Sequence, residues 1–284
     1  MKSLVTCLCL LALVSTGLAK DDMPVAELVK KHLDSLGSEQ ARAAVKSRVA
    51  QGSLRFHVLT AGAGLQDGKQ VLVSEGDKLV SLLKLPNPSY HGERFVSDGR
   101  KTEIAVMRPG VWSELGAFVR VHNEILTEGL WGGCLSTAWA VAKIEDRHAN
   151  LRYDGLKKVD GRELYRVTYK PSKGSDLEIA LYFETETFRH VLTTYSLTIT
   201  PKIGRTDAST AGTQFTRYLL EERFSDFKVV DKLTLPEHWD VKFSYDVPFG
   251  TSMVASHSAQ IEFESTETDV SHNVSLDPNN FEVK

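Results

Sequence analysis

The sequence predicts an α+β fold: an antiparallel curled sheet, or incomplete β-barrel, of about ten to eleven strands, with an N-terminal helix and a helical insert covering its concave face. Apolar and polar residues alternate along most of the chain, as in a sheet with one wet face and one apolar face. Only the predicted helices at residues 24–36 and 114–141 are available to fill or cover the concave side of this sheet. A sheet of this many strands rarely stays flat, so we expect the sheet to curl.

Composition narrows the classes of protein. Among 284 residues there are 34 Lys+Arg and 37 Asp+Glu, which gives a formal net charge of −3. This balance argues against a nucleic-acid binder, which needs a basic face. Apolar residues at 42% and aromatic residues at 8% predict an ordinary globular core rather than disorder.

The first residues have the pattern of a secretory signal peptide. A positive start precedes an apolar run over residues 4–14, and the small residues Gly17 and Ala19 occupy positions −3 and −1 of a cleavage site. We therefore expect residues 1–19 to be removed and a single domain to span residues 20–284.

Cysteine usage adds two expectations about the exported chain. A lipoprotein signal would place a cysteine just after the apolar run; none stands there, so we predict no lipid anchor and a periplasmic or secreted protein. After cleavage only Cys134 remains, so no internal disulfide is expected even in an oxidising compartment. The stability of the fold must then come from its core.

Capping residues predict where helices begin. Pro24 suits a first helical position, and Gly37 closes the amphipathic pattern that follows it. Ser38 is predicted to cap a second short helix, and Ser113 is predicted to cap a helix that runs to about residue 126. Residues 136–143 read as a further short apolar helix.

Glycine-containing pairs predict turns between the strands. Asp98-Gly99 is a strong hairpin signal, and Asp67-Gly68 is predicted to break the chain before the next strand. Residues 130–133 (LWGG) form a glycine-rich apolar joint inside the helical region. The acidic stretches at residues 221–223 and 262–269 are interpreted as solvated strand edges.

Signatures of catalysis and of cofactor binding are absent from the sequence. There is no HExxH, no P-loop and no CxxC pair after the signal peptide, so we expect no enzyme, no cofactor and no metal. Cys134 is either a nucleophile paired with a histidine such as His122, or a packed apolar side chain, which the lack of a surrounding signature favours. His238 and Asp240 share a polar strand face, where a solvated pair is favoured over a metal site.

Three phrases of the sequence carry a resemblance. Residues 155–165 (GLKKVDGRELY) are similar to a V-x-G-x-E-x-Y strand, and residues 181–188 (LYFETETF) to an L-Y-x-D-x-x-T hairpin. Residues 224–236 are similar to F-x-D-[YF]…V-x-G…L-P, with Lys232 in place of the glycine. In these phrases and in its order of elements, most of the chain resembles the LolA/LolB-like superfamily of periplasmic lipoprotein-sorting and lipid-carrier proteins.

The resemblance implies an incomplete barrel in which helices line or cover an apolar cavity for acyl chains, and it brings no catalytic residues. Apolar side chains on the strands and the insert are the candidates for a lipid-binding lining. The same side chains would equally fill a solid core, so both interpretations stay open. The candidates are Phe56, Val58, Ile104, Val106, Leu115, Phe118, Val119, Val167, Ile179, Leu181, Tyr195, Leu197, Tyr218, Leu220, Trp239, Val241 and Phe243.

The leading hypothesis is an exported, non-enzymatic carrier or binding protein that holds a lipid or lipidated ligand, for trafficking of lipoproteins or lipids in the cell envelope. Its expected partners are a lipid or an acylated protein and a donor or acceptor protein at the membrane, with no nucleic acid, and the protein is expected to be a monomer. Two alternatives are a periplasmic sensor or scaffold that binds another protein, and a secreted hydrolase with dispersed catalytic residues.

Overall fold

A computed structural model describes residues 23–60, 63–108, 110–200, 215–248 and 256–284. The predicted signal peptide lies outside these residues. The described residues form five short helices, three 3-10 turns and twelve strands. The helices are α1 (Val25–Leu36), α2 (Glu39–Ala44), α3 (Glu114–Val121), α4 (Glu124–Thr127) and α5 (Ile144–Arg147). The 3-10 turns are Gly133–Leu135, Ala140–Lys143 and Pro278–Phe281. The strands are β1 (Ser47–Val58), β2 (Ala63–Glu75), β3 (Lys78–Lys84), β4 (Gly92–Ser97), β5 (Thr102–Val106), β6 (Asn150–Val159), β7 (Arg162–Lys170), β8 (Glu178–Glu184), β9 (His190–Ile199), β10 (Thr216–Val230), β11 (Leu233–Pro248) and β12 (Ser256–His272).

All twelve strands belong to one antiparallel sheet, in the order β5-β4-β3-β2-β1-β12-β11-β10-β9-β8-β7-β6. Two meanders meet where β1 pairs with β12, which joins the beginning of the chain to its end. The sheet is curled but β5 and β6 do not pair, so the barrel is unclosed. The predicted fold class, an α+β incomplete barrel, is confirmed.

The predicted count of ten to eleven strands was low by one, because β6 has no clear alternation. No residue of β6 is fully buried, since it is an edge strand. A register shift between Tyr153 and Leu156, where Gly155 has φ +83°, also interrupts the period of two. The sequence pattern of a half-buried strand is therefore missing from β6.

The predicted break at Asp67-Gly68 is wrong, because β2 runs through both residues. Asp67 pairs with Arg55 and Gly68 pairs with Leu54 in the ladder with β1. The glycine is needed for a close approach rather than for a turn: a Cβ at Gly68 would lie 2.3 Å from the carbonyl oxygen of Lys84. Cross-strand pairing thus overrides the local turn signal.

Two helix predictions in the middle of the chain need correction. The helix capped by Ser113 ends at Val121, and His122, with φ −102° and ψ 62°, separates it from α4. Residues 136–143 form a bend and a 3-10 turn rather than an α-helix. There the hydroxyl of Ser136 accepts a hydrogen bond from the backbone N–H of Ala138 over 3.0 Å, a local contact that competes with helix formation.

The predicted caps are present at the other helix starts. Ser38 Oγ accepts from Ala41 N over 3.2 Å, and Ser113 Oγ accepts from Gly116 N over 3.0 Å. Pro24 stands just before α1 instead of inside its first turn. Within the described residues, no helix has the length and apolar character that a bilayer crossing needs.

Candidate functional site

The concave face of the sheet is covered by residues 113–148, called here the helical insert. Aromatic rings form part of this contact. The ring centroid of Trp131 lies 5.1 Å from that of Phe95 on β4 and 5.4 Å from that of Trp239 on β11. The ring of Phe118 lies 5.0 Å from that of Phe243. The helical insert therefore contacts both halves of the sheet with its apolar side chains.

The glycine-rich joint brings the backbone of the helical insert onto the strands. Gly132 and Gly133 have φ values of +74° and +49°, in the left-handed region that favours glycine. A Cβ at Gly132 would lie 2.8 Å from Cδ2 of Leu72, and one at Gly133 would lie 2.8 Å from Cζ of Phe224. No larger side chain fits at this depth without moving the strand residues.

The buried carboxylate of Glu222 binds the glycine-rich joint at Gly132. Glu222 on β10 is 0% exposed, and its Oε2 accepts from the backbone N–H of Gly132 over 2.7 Å and from Nε1–H of Trp239 over 3.0 Å. Its Oε1 accepts from the hydroxyl of Tyr195 over 2.7 Å. Burial raises the pKa of Glu222 to about 7, although the three donors act in the opposite direction.

A second buried carboxylate holds the start of the helical insert. Glu93 on β4 accepts from the backbone N–H of Ser113 over 2.6 Å and from its hydroxyl over 2.7 Å. The hydroxyl of Tyr90 donates to the same carboxylate over 3.0 Å. Burial raises the pKa of Glu93, and hydrogen bonds from Ser113 partly oppose that shift.

The middle of the helical insert is held by the first two strands. Nη1 of Arg48 on β1 donates to the carbonyl oxygen of Cys134 over 2.6 Å. The hydroxyl of Ser74 on β2 accepts from the backbone N–H of Thr137 over 2.9 Å. Polar side chains from β1, β2, β4 and β10 thus fix one irregular segment across the unclosed sheet.

The N-terminal helix contacts the helical insert through an imidazole. Nε1–H of Trp139 donates to Nε2 of His32 over 3.0 Å, so Nδ1 of His32 carries the proton and donates to the carbonyl oxygen of Phe188 over 3.0 Å. The ring of His190 lies 4.7 Å from that of Trp139. Burial lowers the pKa of His32 to about 4 and that of His190 well below its ordinary value.

The predicted lining residues lie together in one apolar cluster, with the exception of Val106. Thirteen of the seventeen are buried, and their neighbours are each other and the helical insert. Contact of these side chains with a lipid stays a prediction. The four that are only partly buried are Val58, Val106, Leu197 and Tyr218.

The clefts of the molecule lie away from most of these side chains. A cleft of about 450 Å³ beside β7 and β8 includes Ile179, and four other clefts between residues that the structure describes are bordered by none of the predicted lining residues. A smaller cavity of about 100 Å³ lies between the helical insert and the start of β1, beside Cys134 and Trp139. The helical insert thus fills much of the space that the sheet encloses.

The interpretation of residues 221–223 and 262–269 as solvated strand edges is wrong for two of their side chains. Glu222 and Glu267 are both 0% exposed. The burial of Glu222 follows from the alternation along its strand, because Glu222 lies between Leu220 and Phe224 on the apolar face. The alternation places Glu222 on the apolar face, but its charge led to the prediction that it is exposed to solvent. Arg48 and Glu93 were missed for the same reason.

Cys134 is a packed side chain, as the sequence favoured. It is 3% exposed, and burial raises the pKa of its thiol to about 12. The proposed histidine partner lies elsewhere: Nδ1 of His122 is 3.5 Å from a carboxylate oxygen of Glu124. A thiol held in its protonated form is a poor nucleophile.

His238 and Asp240 lie on the convex face, where His238 Nδ1 contacts the hydroxyl of Thr266 over 3.0 Å and His238 Nε2 lies 3.3 Å from Asp226. Burial, then Glu264 and Glu262, raise the pKa of Asp240 to about 6.

Nearby on the same face, His57, Glu262 and Glu264 bring one possible ligand atom each to within 4.8 Å of one another. Arg55 Nη1 lies 3.6 Å from Glu264 and competes for that carboxylate. Three donor atoms fall short of the four protein ligands of a closed zinc site. The expectation that the protein binds no metal stays a prediction.

Comparison with known proteins gave matches among solved structures only. No protein-family model matches the chain, and no curated protein matches it. A DUF1329 family protein from Desulfovibrio piger ATCC 29098 is similar with a TM-score of 0.46 and 13% identity, over 91% of this chain and 97% of that chain. LolA superfamily protein NE2245 from Nitrosomonas europaea is similar with a TM-score of 0.45 and 12% identity, over 92% and 98%.

A third similar structure is a putative outer membrane lipoprotein-sorting protein domain from Vibrio parahaemolyticus. Its TM-score is 0.42 and its identity is 13%, over 89% of this chain and 97% of that chain. At these TM-scores and identities the likeness concerns the course of the chain alone. By its architecture, the protein belongs to the class of curled, unclosed antiparallel sheets with a helical segment on the concave face.

Proposed function

We propose that this protein is an exported, non-enzymatic carrier or binding protein, and that it holds a lipid or lipidated ligand against the concave face of its sheet. One observation carries the proposal: an irregular helical insert, rather than a second sheet, covers the apolar face. Irregular segments with short helices open at lower free energy than strands that are paired on both sides. The helical insert is thus the segment that a ligand would displace.

The free energy of removing an acyl chain from a bilayer determines how much apolar surface the concave face must provide. Extracting a chain of about sixteen carbons from a bilayer forfeits roughly 0.8 kcal/mol per methylene, on the order of 10 kcal/mol in total. The contacts that Trp131 and Phe118 make with the sheet provide apolar surface of the kind that would replace the bilayer. A bound chain would take the place of these rings on the strands.

Native mass spectrometry of the protein purified without detergent tests the proposal. The expected result is one acyl ligand per monomer, on a chain that begins at Lys20 after signal-peptide cleavage and carries no N-terminal lipid. A ligand-free protein that also fails to bind a fluorescent fatty acid would overturn it. Isolation with a stoichiometric protein partner and no lipid would instead favour the sensor or scaffold.

A pair of glycine variants tests whether the helical insert must move. Gly132→Ala places a methyl group 2.8 Å from Leu72 and weakens the docked state. Gly174→Ala is the matched control, because its φ of +78° is close to the +74° of Gly132 and a Cβ there meets nothing within 4 Å. Weakening the closed state raises the apparent affinity of a ligand that binds the open state. We expect Gly132→Ala alone to bind the fluorescent fatty acid more tightly, and equal affinities would contradict displacement of the helical insert.

A further inference from the structure

One cavity of the molecule combines a buried cation with apolar walls. Its volume is about 100 Å³, and it lies where the end of α1, α2, the start of β1, the helical insert and the start of β11 meet. Its border includes two arginines and four aliphatic side chains. They are Arg42, Arg48, Leu36, Val45, Leu233 and Leu235.

Arg48 is the buried cation at this cavity. It is 5% exposed, Nη1 donates to the carbonyl oxygen of Cys134 over 2.6 Å, and Nε donates to Nε2 of His272 over 2.9 Å. Nη2 makes no hydrogen bond to any residue that the structure describes. Within the same ranges, no carboxylate oxygen lies within 4.0 Å of this guanidinium group. Burial lowers the pKa of Arg48 to about 10, which leaves it charged at neutral pH.

The carboxylate of Asp231 is separated from Arg48 by the neutral imidazole of His272. Because Nε2 of His272 accepts from Arg48, its Nδ1 carries the proton and donates to Oδ2 of Asp231 over 2.9 Å. Asp231 therefore orients the imidazole, which in turn orients the guanidinium group. A buried charge without a direct counterion is unfavourable unless a ligand supplies one.

Arg42 gives the same cavity a second positive charge. Its Nη1 donates to the carbonyl oxygens of Leu33 and Gly37 at the end of α1. Its nearest carboxylate is that of Asp34, whose Oδ1 is 3.9 Å away and whose side chain is half exposed. Two arginines and, among the described residues, no acidic residue border the cavity, which makes it electropositive.

We propose that this cavity binds the carboxylate group of an aliphatic acid. The carboxylate pairs with the free side of the Arg48 guanidinium group, and the first methylenes lie against Leu36, Val45, Leu233 and Leu235. The aliphatic walls favour a carboxylate over a phosphate, whose additional oxygens would need further donors. This site does not depend on displacement of the helical insert, so it stands apart from the function proposed above.

Isothermal titration of the full chain with octanoate tests the proposal, with octan-1-ol as the uncharged control of equal chain length. We expect saturable binding of octanoate with one site per chain and no measurable binding of octan-1-ol. Equal binding of the two compounds, or no binding of octanoate, would overturn the proposal. This comparison needs only the wild-type protein, so it holds even where a variant fails to fold.

Variants locate the octanoate on Arg48. Arg48→Met is expected to weaken binding about 30-fold or more, because it removes the partner of a buried charge pair. Arg48→Lys keeps the charge without the planar fork and should weaken binding less. Arg55→Met is the matched control, because it removes an arginine from the opposite face of β1, where the side chain is 54% exposed. Octanoate affinity that is unchanged in Arg48→Met would place the ligand elsewhere and overturn the assignment.

Palmitate distinguishes the two sources of the carboxylate. If palmitate binds and also depends on Arg48, the site takes the head of a long-chain acid; if octanoate alone binds, it takes a free short-chain acid. Both outcomes support the site. If octanoate binds at Arg48 but the concave face binds no acyl chain, the proposal of this site is supported and the proposed carrier function is wrong.

Discussion

Trp139 and His32 form the contact that joins the helical insert to the N-terminal helix. The indole N–H of Trp139 donates to Nε2 of His32 over 3.0 Å, and the other ring nitrogen of His32 donates to the carbonyl oxygen of Phe188. Both ring nitrogens are used, and only the neutral imidazole satisfies both partners. A change in protonation at this one ring therefore bears on how the helical insert is held.

The first prediction concerns stability at mildly acidic pH. Since the pKa of His32 is about 4 in the folded state and 6.5 in its ordinary range, the unfolded chain binds the proton more readily. Stability from His32 is therefore present above about pH 6.5 and is lost as the pH falls towards 4. We expect the contribution of His32 to the free energy of unfolding to decrease by roughly 2 kcal/mol between about pH 6.5 and pH 5.

Urea denaturation at several pH values measures this loss. His32→Gln offers a donor and an acceptor without titrating in this range, so the unfolding free energy of the wild type minus that of the variant should fall by roughly 2 kcal/mol from about pH 6.5 to pH 5. His190, whose pKa is also lowered by burial, leaves a residual dependence in that variant. A variant with the full pH dependence of the wild type would show that His32 is not the responsible group.

The second prediction concerns Glu222, whose contribution to stability changes with pH in the opposite direction to that of His32. Its pKa of about 7 in the folded state is raised from 4.5, so the folded chain holds the proton more tightly. Stability from this group is present below about pH 4.5 and is lost as the pH rises through 7. In Glu222→Gln the amide oxygen accepts from Gly132 and Trp239, and the amide N–H₂ donates to Tyr195. We expect this variant to lack the loss, which is on the order of 3 kcal/mol in the wild type.

Glu222→Ala is the contrasting substitution, because it leaves three buried donors without an acceptor. We expect it to lower the free energy of unfolding by about 3 kcal/mol or more at neutral pH. Chemical denaturation of the two variants beside the wild type checks both expectations. If Glu222→Gln were as unstable as Glu222→Ala, the negative charge itself would be required.

The third prediction uses the glycine of α3 that faces Glu93. A Cβ at Gly116 would lie 2.3 Å from Oε1 of Glu93, the atom that accepts from the backbone N–H of Ser113. Alanine normally stabilises a helix by about 1 kcal/mol relative to glycine. At this position we expect the opposite sign, a loss of about 2 kcal/mol, because the carboxylate must leave Ser113.

Gly110→Ala is the matched control for Gly116→Ala. The nearest atom to a Cβ at Gly110 is the carbonyl oxygen of Arg108 at 3.6 Å, an ordinary contact. Its unfolding free energy should stay within about 0.5 kcal/mol of the wild type. Thermal or urea unfolding of both variants gives the comparison, and a stable Gly116→Ala protein would contradict the tight fit of α3 on β4.

The fourth prediction uses Cys134 as a reporter of movement. Because its thiol is buried and its pKa is about 12, we expect a thiol reagent to label the native protein far more slowly than the unfolded chain. A ligand that displaces the helical insert should accelerate labelling at a saturating concentration. Labelling rates that are the same with and without a bound fatty acid would show that Cys134 stays covered in the complex.

Cys134→Ala completes this experiment. The alanine variant identifies any labelling at other groups, and it also tests the alternative of a hydrolase built on this thiol. We expect Cys134→Ala to keep the ligand binding of the wild type. Loss of an esterase activity that the wild type displays would instead support the hydrolase.

Alternation along the chain predicted the sheet well, because the period of two depends on neighbouring residues only. The apolar faces of β8 and β11 follow directly from their sequences, and so do the caps at Ser38 and Ser113. Edge strand β6 was missed because it buries little, and a turn at Asp67-Gly68 was predicted because the cross-strand approach of Lys84 leaves no local trace.

By itself the sequence determined an antiparallel sheet with one apolar face, two helical regions and no catalytic signature, since these depend on local patterns. Only the tertiary structure decided that Arg48, Glu93 and Glu222 are buried and lie at the contacts between the helical insert and the sheet. The burial and the hydrogen-bond partners of such groups arise from segments far apart in the chain. Their pKa values follow from that burial, so no pattern of neighbouring residues contains them.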